Sequence, residues 1–348
     1  KIDQTQVLSN RAISTGSLFL DLNLNPRMPG FKCGKSHIIA GRPGSGKSSL
    51  CFSMARALLA KNKPGDEKPR IVIYIDVENG TDESQLALYG LTKYDTPNFE
   101  YKVCNYGPDV LRMLEEIIRD FQGYESEVLI VLDSIPHLSY SDADETNDYS
   151  KTAAVAQGPN KLKVFFRENK ALMANTNICL MCLTFMTANI GRQSQYEPQF
   201  ILSGGSFLEY AADVAIELKA VGAPREQEIP PPKPKDAKPG PAPKGLGKFQ
   251  DIRMRFIKQK TGAKLEIDYI LCLCDEPDFK PGIQDLTLMV DYACQKCGIQ
   301  SGAWIKFNGG SWNGKKLFKA ALKESIQNTL NGTKPTDETL DGLHQKLY

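Results

Sequence analysis

The sequence lacks any apolar run long enough to cross a bilayer, and its first residues carry no signal-peptide pattern. Neither a membrane-spanning nor a secreted product is expected. Charge imbalance is also missing: 43 Lys and Arg against 41 Asp and Glu leave +2, so overall charge alone points to no polyanionic partner. A disulfide framework is absent too. Of nine cysteines, Cys51, Cys179, Cys182 and Cys272 sit inside apolar runs, which suits reduced, buried thiols and a cytoplasmic setting. What is present, 41% apolar and 24% charged residues over 348 positions, is enough for a large core plus a smaller appendage. The chain starts at Lys1 rather than Met, so its natural start is expected to lie upstream.

The most informative stretch is Gly41-Arg42-Pro43-Gly44-Ser45-Gly46-Lys47-Ser48, which fits G-x-x-x-x-G-K-[ST] throughout. It follows the apolar run from His37 to Ala40 and precedes Ser49 to Ala55, which has helical spacing. Strand, loop, helix is the context in which glycines let backbone N–H groups curl round an anion. The helix N-terminus adds partial positive charge at the same place. This pattern predicts binding of a nucleoside triphosphate, with Lys47 reaching the β- and γ-phosphates and the Ser48 hydroxyl taking a place on Mg²⁺.

Residues 70–76 and 128–132 are β-branched, apolar runs of the buried-strand type, and 178–183 is a third. They alternate with helical patterns over 110–121 and 160–173, which predicts a mostly parallel, doubly wound α/β sheet. The first run ends in Asp76-Val77-Glu78 and the second leads into Asp133-Ser134. Ligands of such sheets bind at the carboxyl ends of strands. Asp133 is therefore the expected water-mediated Mg²⁺ carboxylate, and Glu78 the candidate that orients an attacking water.

Further along, 213–218 and 252–257 read as strands. Between them, 221–247 holds three consecutive prolines and a Lys/Pro/Gly alternation, read as a flexible insertion with no packed element. Residues 1–12 form an N-terminal segment, 13–278 the core, 279–331 a small C-terminal α+β domain and 332–348 a polar tail. In the small domain 285–295 and 314–330 read as helices and 302–307 as a strand. The Cys272-x-Cys274 and Cys294-x-x-Cys297 pairs fall in apolar elements and are read as packing thiols, since zinc ligands favour tight turns. Residues 189–206 have no clear period and are read as a long functional loop beside the nucleotide. Basic residues Lys248, Arg253, Arg255, Lys258, Lys260 and Lys264 cluster against Asp251 alone, a charge run that reads as a solvated face more often than as a ligand site.

In these residues the chain resembles the RecA-type homologous recombinases, including their phage UvsX-like members. The resemblance runs through Ile13-Ser-Thr-Gly-Ser17, the phosphate loop, Tyr74-Ile-Asp-Val-Glu78, 129–134, Ser203-Gly-Gly-Ser206, 255–260 and Gly302-Ala-Trp-Ile305. It implies a RecA-like P-loop ATPase core and a helical filament of identical subunits on single-stranded DNA, pairing it with homologous double-stranded DNA. ATP would lie between neighbours, with Mg²⁺. Glu78 would be the catalytic carboxylate, and Lys258 and Lys260 would reach across to the γ-phosphate. Ser49, Asp82 and Ser134 would join the nucleotide contacts, Asp82 at the adenine. DNA contacts would come from Asn160, Lys161, Lys163 and Arg167 after a first loop at 139–158. A second loop would supply Ile190, Gly191, Arg192, Gly204, Gly205 and Ser206.

The sequence also departs from the family pattern. Phe185 stands where the bacterial members carry a γ-phosphate-sensing Gln, Gln85 stands at the place of their adenine-stacking Tyr, and the N-terminal docking helix is missing or precedes Lys1. Two other readings use the same core: a hexameric helicase or branch-migration ATPase, and a non-catalytic recombinase paralogue that binds DNA.

Overall fold

The computed structural model describes residues 10–140, 153–189, 200–204, 207–228, 246–260, 266–275, 281–284, 304–307, 310–314, 317–318 and 321. The chain divides into two units, Lys1–Ile283 and Gln284–Tyr348. In the first the order is β1 (Ala12–Ile13), α1 (Leu18–Leu24), β2 (Phe31–Lys32), β3 (Lys35–Gly41), α2 (Lys47–Leu59), β4 (Ile71–Asp76), α3 (Glu83–Leu88) and β5 (Phe99–Val103). There follow α4 (Gly107–Asp120), β6 (Val128–Asp133), a 3-10 turn (Ile135–His137), α5 (Ala153–Ala174), β7 (Ile178–Thr184), β8 (Met186–Ala188) and β9 (Phe200–Leu202). The unit ends with α6 (Phe207–Ala211), β10 (Val214–Glu228), β11 (Leu246–Lys258), β12 (Glu266–Cys272) and β13 (Gly282–Ile283).

Nine strands form one sheet in the order β13-β12-β11-β10-β3-β7-β6-β4-β5. From β10 to β5 every pairing is parallel, and from β10 to β13 every pairing is antiparallel. The central strands are almost wholly apolar because helices cover both faces. On one face Ile38, Ile73, Ile75, Ile130, Leu132 and Leu180 pack with Val110, Leu114 and Ile118 of α4 and Leu162 and Phe165 of α5. On the other, α2 buries Leu50, Phe52, Met54 and Leu58, with Phe52 set 5.4 Å from the ring of Tyr74. This is the expected α/β core with a mostly parallel sheet.

The lead-in packs as a polar knot. Asp21 is buried and accepts from the Thr15 N–H and hydroxyl, both at 2.7 Å, and from the Ser14 hydroxyl. Burial raises its pKa, and those donors oppose the rise.

Several expectations need correction. Residues 221–247 are not free of packed elements: β10 runs to Glu228 and β11 begins at Leu246, pairing Arg225 with Phe249 and Glu226 with Lys248. A ladder satisfies backbone groups without apolar burial, and Pro224 falls at the register shift between Val221 and Arg225, where no ladder N–H is required. The three prolines at 230–232 lie outside the described residues. The 189–206 loop is likewise not wholly irregular, because β9 pairs antiparallel with β8. β5 was not anticipated; at the sheet edge it buries only Phe99, too weak a pattern to read.

In the second unit β14 (Trp304–Phe307) pairs antiparallel with β15 (Gly310–Asn313), and Trp312 meets Phe318 edge-on at 5.0 Å. The helix expected over 285–295 and most of that over 314–330 lie outside the described residues.

Candidate nucleotide-binding site

The 41–48 loop joins β3 to α2 at the carboxyl end of the parallel sheet, beside the ends of β4, β6 and β7. Gly41 admits no side chain, since a Cβ there would come 2.4 Å from both the Leu218 carbonyl and Ser45 Oγ. Lys47 is buried, and its Nζ donates to the carbonyls of Gly41 at 3.0 Å and Arg42 at 3.2 Å. Burial lowers its pKa, and the carboxylates of Asp133 and Glu78 oppose that shift. The same ammonium lies 5.5 Å from the centre of the Phe185 ring.

A recess of about 310 Å³ gathers Lys47, Ser48, Glu78, Asp133, His137 and Phe185. Ser48 Oγ donates to Asp133 Oδ2 at 2.8 Å, and the Tyr74 hydroxyl donates to the same oxygen at 2.5 Å. Burial raises the pKa of Asp133 and the two hydroxyls pull it back. A hydroxyl and a buried carboxylate are hard oxygen donors, and together they fit Mg²⁺. The Asp133–Ser134 peptide is cis. Ser134 Oγ donates to Glu78 Oε1 at 2.7 Å.

Glu78 leaves β4 on a turn that Asp76 holds. Asp76 accepts from the N–H groups of Glu78 at 3.1 Å and Thr81 at 3.0 Å, and from the Tyr101 hydroxyl. Burial pushes its carboxyl up, but those donors outweigh it and leave the pKa below the usual range. His137 Nδ1 lies 2.6 Å from Glu78 Oε1 and 2.9 Å from Ser134 Oγ, and its ring meets Phe185 edge-on at 5.3 Å. Tyr74 and Asp76 stand in the sequence motif that ends at Glu78 but carry no assigned role there, and His137 is not singled out at all. The signal for His137 was its place three residues after Ser134, on the same strand end.

On the other side of the loop, a recess of about 350 Å³ is bounded by Ser49, Gln85, Tyr89 and Leu273. Asp82 does not line it; it is exposed and caps α3, accepting from the Ser84 N–H at 3.0 Å. Arg42, Pro43 and Ser45 face Met186 and Phe200 of the β8–β9 hairpin across a third recess.

Lys258 and Lys260 do not meet this loop. Lys258 is opposite Ala215, which pairs with Ile38, whereas Gly41 is opposite Leu218. Lys258 therefore ends β11 toward the amino edge of the sheet, with Lys260 just beyond it. Lys258 Nζ donates to the Glu209 and Tyr210 carbonyls at 2.7 and 3.2 Å, and Lys260 Nζ meets Asp213 Oδ1 at 2.6 Å.

Asn160, Lys161, Lys163 and Arg167 are exposed along α5, which begins at Ala153, earlier than expected, and carries Pro159 inside. Lys161 Nζ is 5.7 Å from the centre of the Tyr140 ring. Gly204 stands at the foot of the hairpin beside Ile135 and Leu208, while Ser203 N–H donates to the Phe185 carbonyl at 2.9 Å. Ile190, Gly191, Arg192, Gly205 and Ser206 lie outside the described residues, as does most of the 139–158 loop. Cys272 and Cys274 approach to 3.5 Å between sulfurs, and among the described residues no group of three or more His, Cys, Asp or Glu could hold a metal ion. Cys294 and Cys297 lie outside the described residues. No described helix is long and apolar enough to cross a membrane.

Sheet order, phosphate loop and the strand-end carboxylates together define a RecA-like P-loop ATPase core. A family model described as "AAA domain" matches residues 18–165, from α1 into α5. Over 329 residues the chain is 24% identical to Protein RecA of Helicobacter pylori (strain HPAG1), covering 93% of this chain and 82% of that protein. It is 22% identical over 348 residues to Protein RecA of Chlorobaculum parvum, with 96% and 88% covered. These matches support a RecA-like ATPase that uses ATP.

Proposed function

We propose that this protein is a DNA-dependent ATPase that assembles as a helical filament on single-stranded DNA and carries out homologous pairing and strand exchange in the cytoplasm. The observation that carries the reading is a division of labour across the sheet. Lys47, Ser48, Glu78 and Asp133 converge at one edge, while Lys258 and Lys260 stand at the opposite one. A second copy stacked edge to edge would bring those two lysines to the first copy's phosphates, and hydrolysis would then depend on assembly. The matches to RecA proteins over most of the chain favour the same reading.

In this reading Lys47 and the loop N–H groups hold the triphosphate, and Ser48 and Asp133 would hold Mg²⁺. When bound, that ion neutralises charge on the phosphates. Glu78 orients the attacking water. The partner's two ammonium groups supply positive charge where it builds up in the transition state. Exposed basic residues of α5 and the backbone at Gly204 would contact phosphates rather than bases, as sequence-independent binding requires.

Electron microscopy of the protein with single-stranded DNA and a non-hydrolysable ATP analogue tests this reading. Helical filaments, together with strand exchange between homologous DNAs, are expected. Closed rings, or a lone protomer that hydrolyses ATP at full rate without DNA, would overturn it.

A further inference from the structure

We infer that His137 is a positioning residue for Glu78, an assignment that rests on the hydrolytic role proposed above for that carboxylate. Glu78 is a long side chain, 38% exposed, on a turn beyond its strand; left alone, it would sample many rotamers. One of its oxygens, Oε1, is taken by two donors that both come from the segment just after β6: Ser134 Oγ at 2.7 Å and His137 Nδ1 at 2.6 Å. Ser134 spends its single hydrogen on Glu78, so the 2.9 Å contact between Ser134 Oγ and His137 Nδ1 has the ring nitrogen as donor. Nδ1 therefore carries its hydrogen and shares it between the hydroxyl and the carboxylate. Oε1 is held this way where Glu78 lines the recess beside Lys47, Ser48 and Asp133.

The ring that makes this contact is itself braced. Phe185 meets it edge-on at 5.3 Å. Phe185 follows β7 directly, and its carbonyl accepts from Ser203 at the foot of the β8–β9 hairpin. The Lys47 ammonium lies 5.5 Å from the centre of the Phe185 ring. One aromatic side chain thus touches both the phosphate-loop lysine and the histidine that aims the carboxylate. An apolar residue at 185 cannot hydrogen-bond a phosphate, but it can fix the imidazole that positions Glu78. A displaced hairpin would reach Glu78 through the same two rings.

The test is steady-state ATP hydrolysis with single-stranded DNA for His137→Ala, His137→Asn, Phe185→Ala and Glu78→Gln. Asparagine places an amide N–H where Nδ1–H stands. His137→Ala should lower kcat by about 10- to 100-fold, as loss of alignment does, with KM and melting temperature little changed. His137→Asn should restore most of the rate, and Phe185→Ala should fall between. A purely structural role would move melting temperature or KM and would not be rescued by asparagine. If Glu78→Gln is inactive but His137→Ala turns over at the wild-type rate, or if His137→Asn is as slow as His137→Ala, the positioning role is wrong while the role of Glu78 stands. If Glu78→Gln keeps the wild-type rate, the proposed function of Glu78 fails and His137 goes with it.

Discussion

Tyr74 donates its hydroxyl to the same Asp133 oxygen that Ser48 reaches from the first turn of α2. Tyr74 is fully buried, and its ring stacks on that of Tyr101, 5.9 Å away and nearly parallel. Tyr74→Phe keeps the packing and removes one donor from a buried carboxylate. A loss of about 1–2 kcal/mol in stability is expected, read from the urea midpoint. Asp133 should become harder to ionise, so the Mg²⁺ concentration for half-maximal turnover should rise. An unchanged Mg²⁺ requirement would show that the hydroxyl serves packing alone.

His37 gives stability a pH dependence that does not involve the site. It lies in β3, wholly buried, with Nε2 against the Lys32 carbonyl at 2.9 Å and Phe31 edge-on at 5.1 Å. Burial lowers its pKa to about 4. The unfolded chain binds a proton near the ordinary histidine value of about 6.5, the folded one only near 4. Stability is therefore fully present above about 6.5 and falls as pH drops toward 4, by roughly 3 kcal/mol in total. Urea midpoints from pH 7 to 4 should show that slope, and His37→Met should flatten it.

Lys258 should separate binding from turnover. Its Nζ satisfies two carbonyls in the last turn of α6, and burial and Lys260 lower its pKa. Lys258→Gln should leave nucleotide affinity of the isolated protomer within about twofold while lowering DNA-stimulated hydrolysis by at least about tenfold, a floor well under the ~10³–10⁵ that a positive group supplied in trans can contribute. Mixing this variant with Lys47→Ala protein tests the arrangement directly. In mixed filaments each variant supplies the half that the other lacks, so activity should return in part. Failure of any mixture to hydrolyse ATP would argue against a shared site.

The central strands and the phosphate loop were readable because burial on both faces leaves long apolar runs, and because the loop pattern carries its own geometry. The ends of runs were readable too: Glu78 and Asp133 stand just past β4 and at the end of β6. Elements that bury one residue or none leave no periodic trace, as in β5 and the outer half of β10; the outer half of β11 buries Phe249 and Gln250, but one apolar residue between glycines and polar residues makes no run that reads as a strand. His137 was missed for another reason. Its role depends on a contact with Glu78 between two neighbouring strand ends, and no local pattern records such proximity. Phe185 stands out in the sequence as a departure from a family pattern, whereas its contacts with His137 and Lys47 arise only when the ends of β7 and β6 and the phosphate loop come together.

Gly204 tests the coupling between the hairpin and the site. Its φ is +102°, a conformation that side-chain-bearing residues rarely adopt. A Cβ there would come 2.9 Å from Leu208 Cδ1 and 3.0 Å from Ile135 Cγ2. Ile135 opens the turn that carries His137, and Ser203, the residue before Gly204, is bonded to Phe185 and Thr184. Gly204→Ala should therefore cost about 1–3 kcal/mol through strain and disturb both the hairpin foot and the turn after β6. Nucleotide affinity, set by Lys47 and the backbone of the 41–48 loop, should be nearly unchanged. Stimulation of hydrolysis by single-stranded DNA should drop more than basal hydrolysis. Measuring both rates alongside the thermal midpoint distinguishes the outcomes: equal loss of the two rates would mean that the hairpin foot supports the fold without linking DNA to the carboxylate.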